Sequence, residues 1–174
     1  MKVDFEDYKT TLKEIHKKAK EYDATLNSCS TATLQAILDV FEIKDLFLLK
    51  AATGLSGGIA RSSSVCGAFL GGVMAFGVVA GILCDKKTDE YEKDLVIEMT
   101  QSLRQLFIHE YNTEEHITCD EIQLCIFGRT FDKLDSKERE EMKEVNTDDK
   151  CPEICGRAAR WAGQIILTYL DKLK

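Results

Sequence analysis

The fold of this chain is decided by residues 65–84, VCGAFLGGVMAFGVVAGILC, a run without a single charged residue. A helix of this length is long enough to cross a membrane or to run through the centre of a helical domain. Its glycines include the spacings Gly67-x-x-x-Gly71 and Gly77-x-x-x-Gly81, which let neighbouring helices approach closely. We favour a buried central helix over a membrane span, since length alone does not separate the two.

The rest of the sequence is typical of one helical domain. The chain has 174 residues, of which 44% are hydrophobic and 30% charged, and its one proline leaves nearly all of it free to be helical. Apolar residues recur at steps of three and four, which predicts amphipathic helices. The predicted helices are 4–22, 27–41, 45–52, 65–84, 88–111, 118–127 and one that begins at Cys151-Pro152. We therefore predict an all-α, single-domain bundle of about six or seven helices around the Gly-rich central helix.

Charge and motifs exclude several classes of function. A net charge of −7 without a basic stripe argues against nucleic acid as a partner. The charged stretch 133–150 reads as a solvent-exposed helix and loop. The sequence has no C-x-x-C pair, haem-attachment motif, zinc helix or phosphate loop. His109 and His116 read as surface residues at a helix end.

The positions of the seven cysteines are more informative than their spacing. An odd number of cysteines and no secretory signal indicate reduced thiols and a cytoplasmic protein. Four of them fall at a predicted cap or first turn of a helix, where unpaired N–H groups and the helix dipole stabilise a thiolate. These are Cys29, Cys66, Cys119 and Cys151. If the four helix starts converge, they form a pocket for a group held by sulfur.

The remaining three cysteines do not fit that arrangement. Cys84 lies 18 residues after Cys66 on the same helix, about 27 Å away, and so cannot share its site. Cys125 is six residues past Cys119 and points to another side of its helix. Cys155, one turn after Cys151, is a reserve ligand, a resolving thiol or a packing residue. We predict that Cys84 and Cys125 are small buried hydrophobes.

The segment 65–72, VCGAFLGG, preceded by SGGIAR at 56–61, resembles the core of a redox-active protein family named for its C…GCAxxG…C…C pattern. Cys29, Cys119 and Cys151 resemble the other three cysteines of that pattern. A related cysteine domain in split-Soret cytochromes is associated with an iron–sulfur cluster, although nothing here is similar to their haem-binding half. The resemblance divides the chain into an N-terminal amphipathic helix, 1–26, and a four-cysteine helical redox domain, 27–174.

The resemblance implies an electron-transfer protein that acts with another redox protein and has no identified substrate. Its cofactor would be a [2Fe–2S] or [4Fe–4S] cluster on the four cysteines, with zinc or no metal as alternatives. Gly67 and Gly71 would let backbone approach the cofactor, and Gly57-Gly58 would form a loop over it. Two other functions stay open: a cofactor-free thiol–disulfide protein, and a non-catalytic helical or membrane-associated partner protein. The glycine face fits a homodimer, and a well-packed monomer explains it equally.

Overall fold

The computed structural model describes residues 8–84, 90–113, 116–145 and 150–172, with only the backbone for Leu83 and Cys84. These residues form eight α-helices and no β-strand, which confirms the predicted all-α class. A short 3-10 helix, Thr53–Leu55, follows the third of them. The helices are α1 Tyr8–Leu26, α2 Cys29–Val40, α3 Leu46–Ala52, α4 Gly67–Cys84, α5 Glu90–Tyr111, α6 Cys119–Phe127, α7 Ser136–Val145 and α8 Lys150–Lys172.

The core is shared by α4 and α8. Helix α4, the uncharged segment, packs against α2, α5 and α8, and α8 also packs against α1, α2 and α5. Helix α1 belongs to the same bundle, because its Ile15 and Ala19 are fully buried in the common core. The domain boundary at residue 27 therefore stays a prediction from the sequence.

Aromatic rings connect three helices close to the start of α4. The Phe107 ring of α5 lies 5.4 Å from the ring of Phe69 on α4 and 5.4 Å from that of Trp161 on α8. Both pairs meet edge to face, the arrangement that aromatic quadrupoles prefer. Burial of these rings fixes the beginning of α4 relative to α5 and α8.

Local capping signals set two helix starts where the sequence predicts them. The Asp45 carboxylate accepts a hydrogen bond from Leu48 N–H at 2.9 Å and begins α3. Thr118 and Glu121 form a capping box that begins α6. The start of α8 differs from the prediction, because Lys150 and Cys151 precede Pro152 in the helix. Proline is tolerated there since its missing N–H belongs to the first turn, which lacks intrahelical acceptors.

Candidate redox site

Four helices begin at the predicted cysteines. Cys29 is the first residue of α2 and Cys119 the first of α6, Cys66 immediately precedes α4, and Cys151 is the second residue of α8. The predicted position of each cysteine at a helix start is thus confirmed. A helix start offers N–H groups that have no acceptor within their own helix, and negative charge is stabilised there.

Backbone pairing brings the starts of α4 and α6 together. An isolated antiparallel bridge joins the residues that precede these helices. Its hydrogen bonds run from Cys66 N–H to the Ile117 carbonyl at 2.8 Å and from Cys119 N–H to the Ser64 carbonyl at 2.7 Å. The two cysteines are therefore held side by side by main-chain contacts.

Cys29 is enclosed by backbone. A methyl group placed on Gly67 would lie 2.5 Å from Cys29 Sγ, so the start of α4 can approach this sulfur only because residue 67 has no side chain. Burial raises the pKa of the Cys29 thiol to about 11, and the charge of Asp23 contributes in the same direction. Hydrogen bonds from the backbone of Gly57 and Ser30 act in the opposite direction.

Cys66 is 5% exposed and lies near the sulfurs of Cys29 and Cys119. Burial raises its pKa well above the ordinary value, and the charges of Cys119 and Cys29 raise it further. Backbone hydrogen bonds from Phe69 and Ala68, in the first turn of α4, lower it. These N–H groups are the unpaired donors that a helix start offers to a negative sulfur.

Cys151 completes the group. Burial raises the pKa of its thiol, as do the charges of Asp23, Cys119 and Cys29, whereas Lys133 lowers it. Each of the four thiols thus lies close enough to at least two others for their charges to interact. The structure brings the four predicted cysteines together at one end of the bundle.

A buried lysine that the sequence does not reveal also belongs to this site. Lys133 is 7% exposed, and its ammonium donates to Cys119 Sγ at 2.8 Å. The same ammonium donates to the Gly57 carbonyl at 3.3 Å and to Ser63 Oγ at 3.4 Å. The prediction that the stretch 133–150 is solvent-exposed is therefore wrong for its first residue.

Lys133 points inward because the segment between α6 and α7 is anchored on both sides. Before it, Phe131 is 2% exposed, and its N–H donates to the buried Gln123 side chain at 3.1 Å. After it, Arg139 donates to the Lys133 carbonyl at 2.8 Å. The one sequence signal is the apolar Phe131, which suggests that this charged stretch turns back onto the core.

Residues 56–64, here called the serine–glycine loop, cover the site. The loop has positive φ angles at five consecutive residues: Gly57, Gly58, Ile59, Ala60 and Arg61. Glycine reaches this left-handed region without strain, whereas each of the other three residues is strained there. The Gly57 carbonyl accepts a hydrogen bond from Lys133, and the backbone of Gly57 is also hydrogen-bonded to Cys29. The predicted loop thus exists and touches two members of the site.

Cys155 lies behind the four cysteines. It is fully buried, its thiol donates to the Cys29 carbonyl at 3.8 Å, and it also interacts with the Asp23 carboxylate. Burial raises the pKa of Asp23 to about 6, while the hydrogen bond from Cys155 lowers it. Cys155 is thus packed against the site from one helical turn below Cys151.

The other cysteines and the histidines lie elsewhere. Cys125 is exposed on α6, so the prediction that it is buried is wrong. The side chain of Cys84 lies outside the described residues. His109 and His116 are exposed, in agreement with the prediction that they are surface residues.

The two glycines assigned to the cofactor have different neighbours. Gly67 lies against Cys29, as described above. A methyl group on Gly71 would instead overlap the Ser30 carbonyl and lie 3.0 Å from Thr33 Cβ, so Gly71 brings α4 onto the backbone of α2. A role of either glycine in binding a cofactor stays a prediction.

One buried polar atom beside the cysteines has no hydrogen-bond partner. Tyr111 is 5% exposed, and its hydroxyl makes no hydrogen bond to any described residue. Burial raises its pKa most strongly, followed by the charges of Cys66 and Cys155. A buried hydroxyl without a partner is costly, and this one lies near enough to Cys66 and Cys155 for their charges to act on it.

Two properties of the described part of the chain bear on the metal and membrane predictions. There, no group of three or more histidines, cysteines or acidic residues is arranged to hold a metal ion. Within the same residues, no helix has both the length and the apolar character required to span a bilayer.

A family model described as "Putative redox-active protein (C_GCAxxG_C_C)" matches residues 27–165. The match starts directly after α1 and includes all four helix-start cysteines, the serine–glycine loop, Lys133 and Cys155. No curated protein and no solved structure matches the chain significantly.

Proposed function

Because the chain belongs to the C_GCAxxG_C_C family of redox-active proteins, we propose that it is an electron-transfer protein. In this proposal Cys29, Cys66, Cys119 and Cys151 hold an iron–sulfur cluster. The observation that supports it is that four helices begin at cysteines and that backbone hydrogen bonds hold two of these starts, at Cys66 and Cys119, side by side. No substrate conversion is part of the proposal.

The kinds of residues present suit such a group, although the sulfurs of the described residues are not arranged around a metal ion. Four thiolates are the ligand set of both [2Fe–2S] and [4Fe–4S] clusters, and hydrogen bonds to the sulfurs help to set their potentials. Backbone groups of Gly57 and Ser30 already bind Cys29, and those of Ala68 and Phe69 bind Cys66. When bound, the cluster supplies one-electron transfer. The chain's own residues orient the sulfurs and shield them from water.

The test is metal analysis of protein that has been purified without oxygen. We expect iron and acid-labile sulfide in equal amounts, together with a visible absorption band that dithionite bleaches. Replacing any one of the four cysteines by serine should abolish or strongly reduce the iron content, and Cys125→Ser, on the exposed face of α6, is the matched control. Metal-free protein in which every thiol reacts with a thiol reagent contradicts the proposal. Zinc without sulfide shows that the four cysteines form a zinc site instead.

A cofactor-free thiol–disulfide function is the second candidate, and the contact between Lys133 and Cys119 favours it. Thiols that attack disulfides typically lie next to a cation and reach solvent. Cys119 is partly exposed and touches the Lys133 ammonium. Its sulfur would attack a partner's disulfide, form a mixed disulfide and release one partner thiolate. A second site thiol would then attack Cys119 Sγ, which leaves a disulfide in this chain and a reduced dithiol in the partner.

This candidate predicts a reversible disulfide in metal-free protein. After mild oxidation, peptide mapping should find Cys119 joined to another site cysteine, and a dithiol reductant should reverse the bond. Oxidised protein that retains all site thiols excludes it.

The same proposal includes a cellular location and a partner protein. A reducing compartment such as the cytoplasm is part of this proposal, because thiols that hold a cluster or exchange disulfides stay reduced there. The partner would be another redox protein that exchanges electrons at the cysteine end. A homodimer remains a further proposal, and the glycines in the second half of α4 offer the test given below.

A further inference from the structure

The ammonium of Lys133 is the most unusual charge in the described part of the chain. It is buried, yet its hydrogen-bond acceptors are a carbonyl, a hydroxyl and a sulfur. The ion pairs found among the described residues do not include it. A buried ammonium is costly unless a negative group compensates its charge.

Among the three acceptors that the structure shows in contact with the Lys133 ammonium, the sulfur of Cys119 is the one that can carry a negative charge. Cys119 Sγ is its shortest contact, at 2.8 Å. A lysine ammonium donates hydrogen bonds and accepts none, so the sulfur of Cys119 is the acceptor. The pairing therefore favours a negatively charged sulfur centre over a neutral one.

The lysine is also held in place before any ligand binds. Burial of Phe131 and the hydrogen bond from Arg139 to the Lys133 carbonyl fix its backbone on both sides. Its ammonium joins the serine–glycine loop to α6 through Gly57 and Ser63. Such a fixed charge acts on the sulfurs without having to reorganise first.

We propose that Lys133 is a positioning residue that stabilises negative charge on the Cys119 sulfur and raises the reduction potential of the centre to which Cys119 belongs. This inference rests on the proposed function. Reduction adds an electron to the centre, and a nearby fixed positive charge favours the reduced form. Lys133 does not ligate the centre, and it acts through Cys119.

The first test uses metal-free protein and needs no cluster. Cys119 and Cys125 lie on the same helix, so peptide mapping after brief iodoacetamide treatment gives the alkylation rate of Cys119 relative to an exposed reference. Two neutral variants, Lys133→Gln and Lys133→Met, should lower this ratio about tenfold at neutral pH. Lys133→Gln keeps polar donors near the loop, which separates the role of the charge from that of the anchor.

Two further variants control this test. Lys133→Arg keeps the cation and should largely restore the ratio. Lys143→Gln removes the same charge from an exposed position on α7 and should leave the ratio unchanged. A ratio that is unchanged or increased in both neutral variants overturns the inference.

The second test measures the midpoint potential of protein reconstituted with iron and sulfide, by titration with dithionite. Lys133→Gln should have a lower potential than the unmodified chain and than Lys143→Gln, and an equal potential overturns the inference. If no cluster forms in any variant, the proposed function fails, and the alkylation ratio still decides the role of Lys133.

Discussion

The two halves of α4 carry the same Gly-x-x-x-Gly spacing and have opposite surroundings. In the first half, a methyl group on Gly67 would lie 2.5 Å from Cys29 Sγ, and one on Gly71 would overlap the Ser30 carbonyl. In the second half, no described atom lies within 4 Å of a methyl group placed on Gly77, and the nearest one to Gly81 is 3.7 Å away. The first pair of glycines is needed for close packing, whereas both positions of the second pair have room for a methyl group.

The difference shows what a glycine spacing can and cannot indicate. A Gly-x-x-x-Gly spacing predicts a helix face without bulky side chains. Another segment packs closely on that face only where its backbone approaches the glycines. At the start of α4 that backbone belongs to α2 and to the loop before Cys66, the same segments that carry the cysteine site. Close packing and the proposed chemistry therefore coincide at one end of the helix.

The largest effect is expected for Gly71→Ala. The added methyl group meets main-chain atoms of α2, which cannot rotate away, so α4 and α2 must separate. We expect a loss of about 3 kcal/mol in the free energy of unfolding, after the better helix propensity of alanine is included. Urea denaturation of metal-free protein measures it, with Gly77→Ala as the matched control. A loss below about 0.5 kcal/mol would show that the two helices are not packed in this way.

Gly67→Ala should affect the site more than the fold. Its methyl group meets the Cys29 sulfur, which can rotate, and the Leu55 carbonyl, which must shift. We expect a loss of about 1–2 kcal/mol in stability. Iron retention should fall to the level of Cys29→Ser in the same preparation. Normal iron content in Gly67→Ala would mean that Cys29 is not a ligand or that its sulfur lies elsewhere.

The sequence predicts the helix starts well because their signals are local. Caps at Asp45 and Thr118, together with the apolar spacing, place α3 and α6 and thereby put Cys119 at the first residue of its helix. Cys29 and Cys66 also stand at helix starts, but the Ser28 side chain makes no capping hydrogen bond to α2. The sequence therefore predicts four cysteines at helix starts, and such starts can converge in a bundle. This is the extent of what it predicts about the site.

The rest of the site depends on contacts between distant segments. Lys133 stands in a charged stretch, and nothing local shows that its ammonium reaches a loop 70 residues earlier in the chain. Asp23 approaches Cys155 through the packing of α1 on α8. Tyr111, on α5, is influenced by the charges of Cys66 and Cys155, which lie far from it in the sequence. Periodicity identifies these helices but does not report which of their polar atoms are buried together.

Asp23 should make the stability of the cysteine end of the bundle depend on pH. The open second half of α4 gives no basis for such a dependence. Burial raises the pKa of the Asp23 carboxyl to about 6 in the folded state, above an ordinary value of about 4. The folded protein then binds this proton more tightly than the unfolded chain, so the stabilisation is complete below about pH 4 and is lost as pH rises through about 6. We expect the free energy of unfolding to fall by about 1–2 kcal/mol over that interval because of this group.

The measurement is denaturation of metal-free protein at several pH values between 4 and 7. Asp23→Asn should remove this part of the decrease, whereas Asp94→Asn, at an exposed position on α5, should leave it in place. Identical pH profiles for Asp23→Asn and the unmodified chain would show that the carboxyl is not desolvated.

The smallest effect, and the one of opposite sign, is expected for Gly77→Ala. The site has room for a methyl group, so the substitution gains helix propensity without a clash. We expect a stabilisation of about 0.5–1 kcal/mol in urea denaturation, since alanine restricts the unfolded chain and favours the helix. Size-exclusion chromatography of both proteins adds a second readout. If Gly77→Ala destabilises the protein or dissociates a dimer, the open half of α4 is filled by a second copy of the chain in solution, and the two halves of α4 then differ only in which backbone packs against them.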